Sequence, residues 1–182
     1  MPSPASVQGG DRIRLFCALR LPPEAIERLA GWQRGLTSGR VVTPENLHVT
    51  LAFLGYVAAA RLPDVVDSLR GAAAGAGEIR LSASRYRETR TVGMVVLDDE
   101  GGRATAVADD LQERLERAGL YRREKRAWLP HITVLRFRER PRLRLEPPDL
   151  GVVVPSDAAA YLSRLGPSGA QYEVLESVAL GG

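Results

Sequence analysis

The sequence predicts an α+β protein of two pseudo-symmetric lobes, each an antiparallel sheet flanked by helices, with a cleft between them. Three observations carry this. Two apolar runs, PENLHVTLAFLG from Pro44 and LPHITVLRF from Leu129, share a His-x-Thr triplet: His48 with Thr50, and His131 with Thr133. The protein has no other histidine. Each triplet is reached by the same succession of strand, helix and His-x-Thr strand, so the chain starts over near its middle. Finally, 182 residues, 45% hydrophobic and 26% charged, suit one core-forming domain, and no low-complexity linker divides them.

The opening MPSPASVQGG has neither the basic nor the apolar stretch of an export signal. Residues 1–11 therefore read as a disordered leader to a single domain over 12–182. From Arg12 to Leu21 the residues alternate, with Ile13, Leu15, Cys17 and Leu19 on one face and Arg14, Phe16, Ala18 and Arg20 on the other, which is a strand. Pro22 and Pro23 end it. Proline is tolerated in a first helical turn, and Ile26, Leu29, Ala30 and Gln33 follow at helical spacing. A glycine loop over 35–39 leads to the first His-x-Thr strand, read as Pro44 to Gly55.

Leu62, Val65, Val66 and Leu69 then form one stripe of a helix spanning Ala58 to Ala74, which stops at Gly75. Glu78 to Tyr86 alternates as a third strand and closes the first half. The second half repeats the order. Val92 to Leu97 is a strand, and Arg103 to Ala118 is a helix striped by Val107, Leu111 and Leu115 and ended by Gly119. A basic loop over 122–126 precedes the second His-x-Thr strand. Pro141 to Pro155 is too punctuated by proline for a helix. Two last strands, Ala158 to Leu165 and Gln171 to Leu180, flank the turn Gly166-Pro167-Ser168-Gly169.

A formal charge of +3 is far below what a nucleic-acid-coating protein carries, yet the cations are concentrated. Lys125 is the only lysine, and arginines cluster over 85–90, 122–126 and 136–144. The single cysteine, Cys17, cannot form an internal disulfide and reads as a small core residue in a reducing compartment. No run reaches the length of a membrane-spanning helix. The expectation is a cytoplasmic monomer with no membrane partner.

Residues i and i+2 of a strand share a face, so each triplet offers one imidazole and one hydroxyl to the same cavity. Two histidines fall one ligand short of the usual catalytic zinc set, no second cysteine exists, and no carboxylate stands at ligand spacing. No metal and no other cofactor is expected. A Gly-x-Ser-x-Gly elbow is absent and Cys17 has no base at hand, which weighs against a nucleophilic enzyme. A single histidine on a strand would more simply be a satisfied core residue; two matched pairs in corresponding places weigh against that reading. The chemistry that uses all four groups is acid–base catalysis on a phosphodiester. One imidazole takes a proton from the attacking oxygen, the other gives one to the leaving oxygen, and the hydroxyls hold the non-bridging oxygens.

PENLHVTLAFLG and PHITVLRF, with the opening RLFCALRLP, resemble the RNA 2′,3′-cyclic phosphodiesterases, also called 2′-5′ RNA ligases, of the two-histidine (2H) phosphoesterase superfamily. The resemblance runs from Arg14 to Leu180. It implies a bilobal LigT-like fold and metal-independent hydrolysis of a terminal 2′,3′-cyclic phosphate on RNA to a 2′-phosphate. It also implies that joining tRNA half-molecules through 2′-5′ linkages lies within the family's range. By motif position, His48 is the expected general acid and His131 the general base. Thr50 and Thr133 would hold the phosphate, Arg136 would add a charged contact, and Phe53 would pack near the terminal base. Val134-Leu135, and Leu162-Ser163 near the end, depart from the family pattern without touching the acid–base pair.

Strict alternation places Phe53 and Arg136, each five residues after its histidine, on the opposite face, so a bulge or a strand end has to re-aim them. Around the basic loop, Trp128 and Tyr121 are candidates for stacking on a base, while Arg87 and Arg90 read as a solvated strand edge. Two alternatives stay open. One is a phosphodiesterase for small cyclic nucleotides such as ADP-ribose 1″,2″-cyclic phosphate or 2′-5′ oligoadenylate. The other is a non-catalytic nucleotide- or RNA-binding module.

Overall fold

Alternation in the first strand sets the architecture. In the computed structural model, which describes residues 10–181, β1 (Arg12–Arg20) buries Leu15, Cys17 and Leu19 completely beneath the helices. Residues 1–9 of the expected leader lie outside the described residues. Burial pushes the Cys17 thiol up to about 12, so it is an inert core group.

β1 pairs antiparallel with β3 (His48–Ala58) on one side and with β7 (Asp157–Gly166) on the other, and β7 continues into β8 (Gly169–Ala179). A second group forms around β5 (Val92–Glu100), which lies between β4 (Arg80–Glu88) and β6 (His131–Arg136). The two groups join into one sheet of order β4-β5-β6-β3-β1-β7-β8. They meet through one registered pair, Val49 with Ile132. Beyond it, the free edge of β6 is taken by β2 (Arg40–Val41), a two-residue strand in a stretch with no readable alternation.

The two lobes do not follow the two halves of the chain. β4, which the sequence places at the end of the first half, pairs with β5 and lies in the lobe of the second triplet. The final hairpin returns to β1 and the lobe of the first. The reason is local: only Thr89-Arg90-Thr91 separates β4 from β5, and closing so short a loop costs far less entropy than a distant pairing. β4 also runs past Tyr86 to Glu88. Glu88 is buried, but it accepts bonds from Tyr86, Arg140 and the backbone N–H groups of Arg142 and Leu143.

Three helices cover the core: α1 (Pro23–Gln33), α2 (Leu62–Ala74) and α3 (Arg103–Arg117). α2 starts with its apolar stripe at Leu62, four residues after the expected start at Ala58, because β3 stays paired with β1 as far as Ala58 and a 3-10 turn, Ala59–Arg61, follows. Likewise Pro44–Asn46 forms a 3-10 turn, and the strand itself begins at His48. At the start of α3, the Asp99 carboxylate accepts from the free N–H groups of Ala104 and Thr105 at 3.1 and 2.8 Å, the service usually given by an N-cap side chain. Leu29, Val65, Leu69, Val107, Leu111 and Leu115 point from the helices into the core. The opposite face of the sheet carries a separate small cluster, Phe16, Ala18, Ala159 and Tyr161, with Tyr172 packed on it.

Candidate active site

The two triplets reach this second face through the same irregularity. Along β3, Thr50 pairs with Ala18 and Ala52 with Cys17, leaving Leu51 as the extra residue of a bulge. Along β6, Thr133 pairs with Met94 and Leu135 with Gly93, leaving Val134 extra. Leu51 and Val134 are each the third residue after a histidine. An inserted residue flips the face of everything beyond it. Phe53 therefore stands opposite Phe16 and Arg136 opposite Val92, on the same faces as His48 and His131. This is the re-aiming that strict alternation demanded, made by matched bulges.

The histidines are latched alike. His48 Nδ1–H donates to the carbonyl of Asn46, and His131 Nδ1–H to the carbonyl of Leu129, both at 2.8 Å and both two residues back. A carbonyl only accepts, so this fixes the proton on Nδ1 in the neutral ring and leaves Nε2 for chemistry. The Nε2 of His48 accepts the Thr50 hydroxyl at 3.0 Å.

Their surroundings differ. The His48 ring lies 4.9 Å from that of Phe16, 6.0 Å from Tyr161 and 5.5 Å, edge-on, from Tyr172. Burial among these rings lowers the His48 pKa to about 4; the Asn46 carbonyl opposes the shift, and the charges of His131 and Arg136 add to it. In the free protein at neutral pH, His48 is uncharged. His48 and His131 each stand next to a member of the registered pair that joins the two lobes, Val49 with Ile132.

Two adjoining cavities make up the cleft. The first, about 620 Å³, is lined by His48, Thr50, Phe53, Thr133 and Arg136, so five of the six residues singled out by sequence meet there. Arg14 and Arg40 join them. In register, Arg40 pairs with Arg136, two cations side by side on one face, an arrangement that an anion between them would relieve. Arg14 holds Phe53: its guanidinium carbon lies 4.5 Å from the ring centroid while a nitrogen donates to Ser163 at 2.7 Å. The sixth residue, His131, lines the second cavity, about 700 Å³, which shares Thr50 and Phe53 as a wall with the first. Trp128, Tyr121, Arg87, Arg122 and Arg126 also line it. Arg87 is exposed on the edge strand β4, as expected, and from there also lines the cleft, whereas Arg90 sits exposed in the β4–β5 turn. The Trp128 indole N–H is taken by the Thr50 carbonyl at 3.0 Å, tying the basic loop to the first triplet.

Sequence reasoning missed the ring of groups around His48. Phe16 was legible in hindsight, since it shares a strand face with Arg14 and Arg20. Asn46, which anchors the last hairpin through the Ala170 carbonyl at 3.0 Å, and Tyr172 on that hairpin carried no local signal. Among the described residues, no three His, Cys, Asp or Glu side chains gather as a metal-binding group. Nor is any described helix long and apolar enough to cross a membrane.

Comparison with known proteins gives this geometry relatives. The model of the LigT-like phosphoesterases matches residues 19–88. The RNA 2′,3′-cyclic phosphodiesterase of Escherichia coli K12 is 31% identical over 134 residues, 68% of this chain and 71% of that protein. The crystal structure of TT0787 from Thermus thermophilus superposes with a TM-score of 0.78 at 29% identity, covering 93% of this chain and 99% of the other. E. coli LigT complexed with 3′-AMP gives 0.78 at 25% identity, covering 94% and 100%.

Proposed function

From the premise that this chain belongs to the LigT-like phosphoesterase family, we propose that it is an RNA 2′,3′-cyclic phosphodiesterase whose acid–base pair is His48 and His131. The observation that carries the reading is the shared Nδ1 latch. It leaves two Nε2 atoms for proton transfer, that of His48 bonded by the Thr50 hydroxyl at 3.0 Å.

The cyclic phosphate enters the first cavity, where Thr50 and Thr133 donate to its non-bridging oxygens and Arg136 adds a charged contact. Phe53 meets the terminal base. His131 takes a proton from a water whose oxygen attacks phosphorus; the bond from phosphorus to the 3′ oxygen breaks, and His48 delivers a proton to that oxygen. The product is a 2′-phosphate beside a free 3′ hydroxyl. The scheme needs one protonated imidazole and one neutral one. Since aromatic packing keeps His48 neutral in the free protein, its proton comes with the substrate: an anionic phosphate against the ring favours the charged form. With the 5′ hydroxyl of a second RNA end in place of water, the same acid–base pair gives 2′-5′ joining: that oxygen loses its proton to His131 and attacks phosphorus, and the bond to the 3′ oxygen breaks as His48 protonates it.

The second cavity favours RNA ends over small cyclic nucleotides. Its arginines and the rings of Trp128 and Tyr121 suit further nucleotides of a single strand, for which a lone cyclic nucleotide has no use. The test is turnover of an oligonucleotide ending in a cyclic phosphate beside that of a cyclic mononucleotide, in EDTA, with the product isomer read by phosphorus NMR. The expected result is a 2′-phosphate formed faster from the oligonucleotide. A 3′-phosphate product, or activity lost to EDTA and restored by Zn²⁺ or Mn²⁺, would reject the mechanism.

A further inference from the structure

The two bulges are each fastened from outside their own strand. The carbonyl of Leu51 accepts the side-chain amide of Gln112 at 2.8 Å, and the carbonyl of Val134 accepts that of Gln33 at 2.9 Å. Both glutamines are nearly closed off from solvent, at 7% and 3% exposure, on helix faces otherwise occupied by leucine, valine and alanine. A polar amide at such a position costs stability unless it is bonded, and a leucine or methionine would fill the space without that cost. The bonds also run crosswise. α1 lies between β1 and β3 in the chain, yet Gln33 reaches the bulge of β6; α3 lies between β5 and β6, yet Gln112 reaches the bulge of β3.

We propose that Gln33 and Gln112 are a matched pair of positioning residues that hold the bulges at Val134 and Leu51 and so aim Arg136 and Phe53 into the cleft. An extra residue in a strand is left out of the ladder, so its carbonyl needs a donor from elsewhere. Gln112 supplies it for Leu51, and Gln33 supplies it for Val134 together with the Val42 backbone N–H. Without that donor the strand gains by sliding to regular register, which turns the residues beyond the bulge to the other face. Gln112 therefore governs Phe53, and Gln33 governs Arg136. Gln33 also donates to the Val42 carbonyl at 3.0 Å, and Val42 N–H bonds the Val134 carbonyl at 3.0 Å, so the second bulge is clamped twice. The roles assigned to Phe53 and Arg136 rest on the proposed function; the bulge geometry does not.

The experiment is calorimetric binding of two probes, inorganic phosphate and adenosine 2′-monophosphate, to the full chain and to Gln112→Met and Gln33→Met, which keep length and burial but remove the donor. Gln112→Met is expected to lose the preference for the nucleotide over phosphate about tenfold, the scale of one aromatic–base stack, while phosphate binding stays within twofold. Gln33→Met is expected to weaken both probes together. Each effect is expected to vanish in the background of its client, Gln112→Met in Phe53→Ala and Gln33→Met in Arg136→Ala, as a coupled pair requires. Equal losses on both probes for both variants, or additive losses in the client backgrounds, would overturn the proposal. If the methionine variants do not fold, Gln112→Glu and Gln33→Glu serve, since a carboxyl donates to the carbonyl only when protonated. Measured against the unaltered chain at each pH, Gln112→Glu must then recover its probe discrimination and Gln33→Glu its affinity for both probes as pH falls, and a flat ratio rejects the idea. A protein that binds both probes as described but does not hydrolyse cyclic phosphates would sink the proposed function alone.

Discussion

Thr50 donates its hydroxyl to Nε2 of His48 at 3.0 Å, the one ring nitrogen that the Asn46 latch leaves free. In the proposed reaction this hydroxyl is handed from the imidazole to a phosphate oxygen, and Nε2 is released to carry the proton. Thr50→Val is therefore expected to lower kcat/KM roughly 10²-fold, the cost of one oxyanion donor, with Thr50→Ser keeping most of the rate. Steady-state kinetics on a cyclic mononucleotide decides it; equal losses in the two variants would show that the methyl group, not the hydroxyl, matters.

The division of labour between the histidines is open to a leaving-group test. A general acid matters only where the departing oxygen needs its proton. His48→Ala is expected to lose far more activity on a cyclic phosphate than on an aryl phosphodiester with an acidic phenol, whereas His131→Ala loses comparably on both. A larger aryl rescue in His131→Ala reverses the assignment.

Protonation of His48 should couple to anion binding. Its pKa lies near 4 in the free protein, below the ordinary 6.5, so the ring is neutral across most of the working pH range. A bound phosphate favours the imidazolium and raises that value. The complex then takes up a proton between the two pKa values, and phosphate affinity rises as pH falls through that window. Histidine NMR titrations with and without phosphate give both numbers. An unchanged His48 pKa would mean that the anion binds away from the ring.

The arginines of the second cavity make a separate prediction about salt. Contacts to extra phosphates release counterions, so KM for an oligonucleotide is expected to climb with salt more steeply than KM for a cyclic mononucleotide. Arg87→Ala together with Arg122→Ala is expected to remove that difference while leaving the mononucleotide kinetics in place. Parallel salt slopes in the unaltered protein would mean that only the terminal nucleotide is held.

How far the sequence could be read depends on how local each signal is. The α+β class, the three helices and both histidine strands are written in short-range periodicity, which burial of one face enforces. Phe53 and Arg136 are not. Their faces depend on bulges at Leu51 and Val134, and those are stabilised by glutamines far away in the chain, so no window around the triplet contains the information. The aromatic packing on His48 is likewise assembled from β1, β7 and β8, which only the pairing of the last hairpin with β1 brings together. Glu88 and Asp99 show a different limit: charged residues look like element ends, and here their bonds let one extend a strand and the other open a helix.

The exchange of strands between the lobes bears on how the molecule comes apart. The last hairpin completes the sheet around β1, β4 joins the lobe of the later triplet, and the helices bond across to each other's partner strands. Cutting the chain in the 101–102 turn would leave the early fragment without β7 and β8 beside β1, and β5 without its pairing to β6. Neither piece retains a closed core. Loss of structure around His48 and around His131 is therefore expected in a single cooperative transition, with matching hydrogen-exchange protection for Val49 and Ile132, and refolding slowed by pairings that span most of the chain.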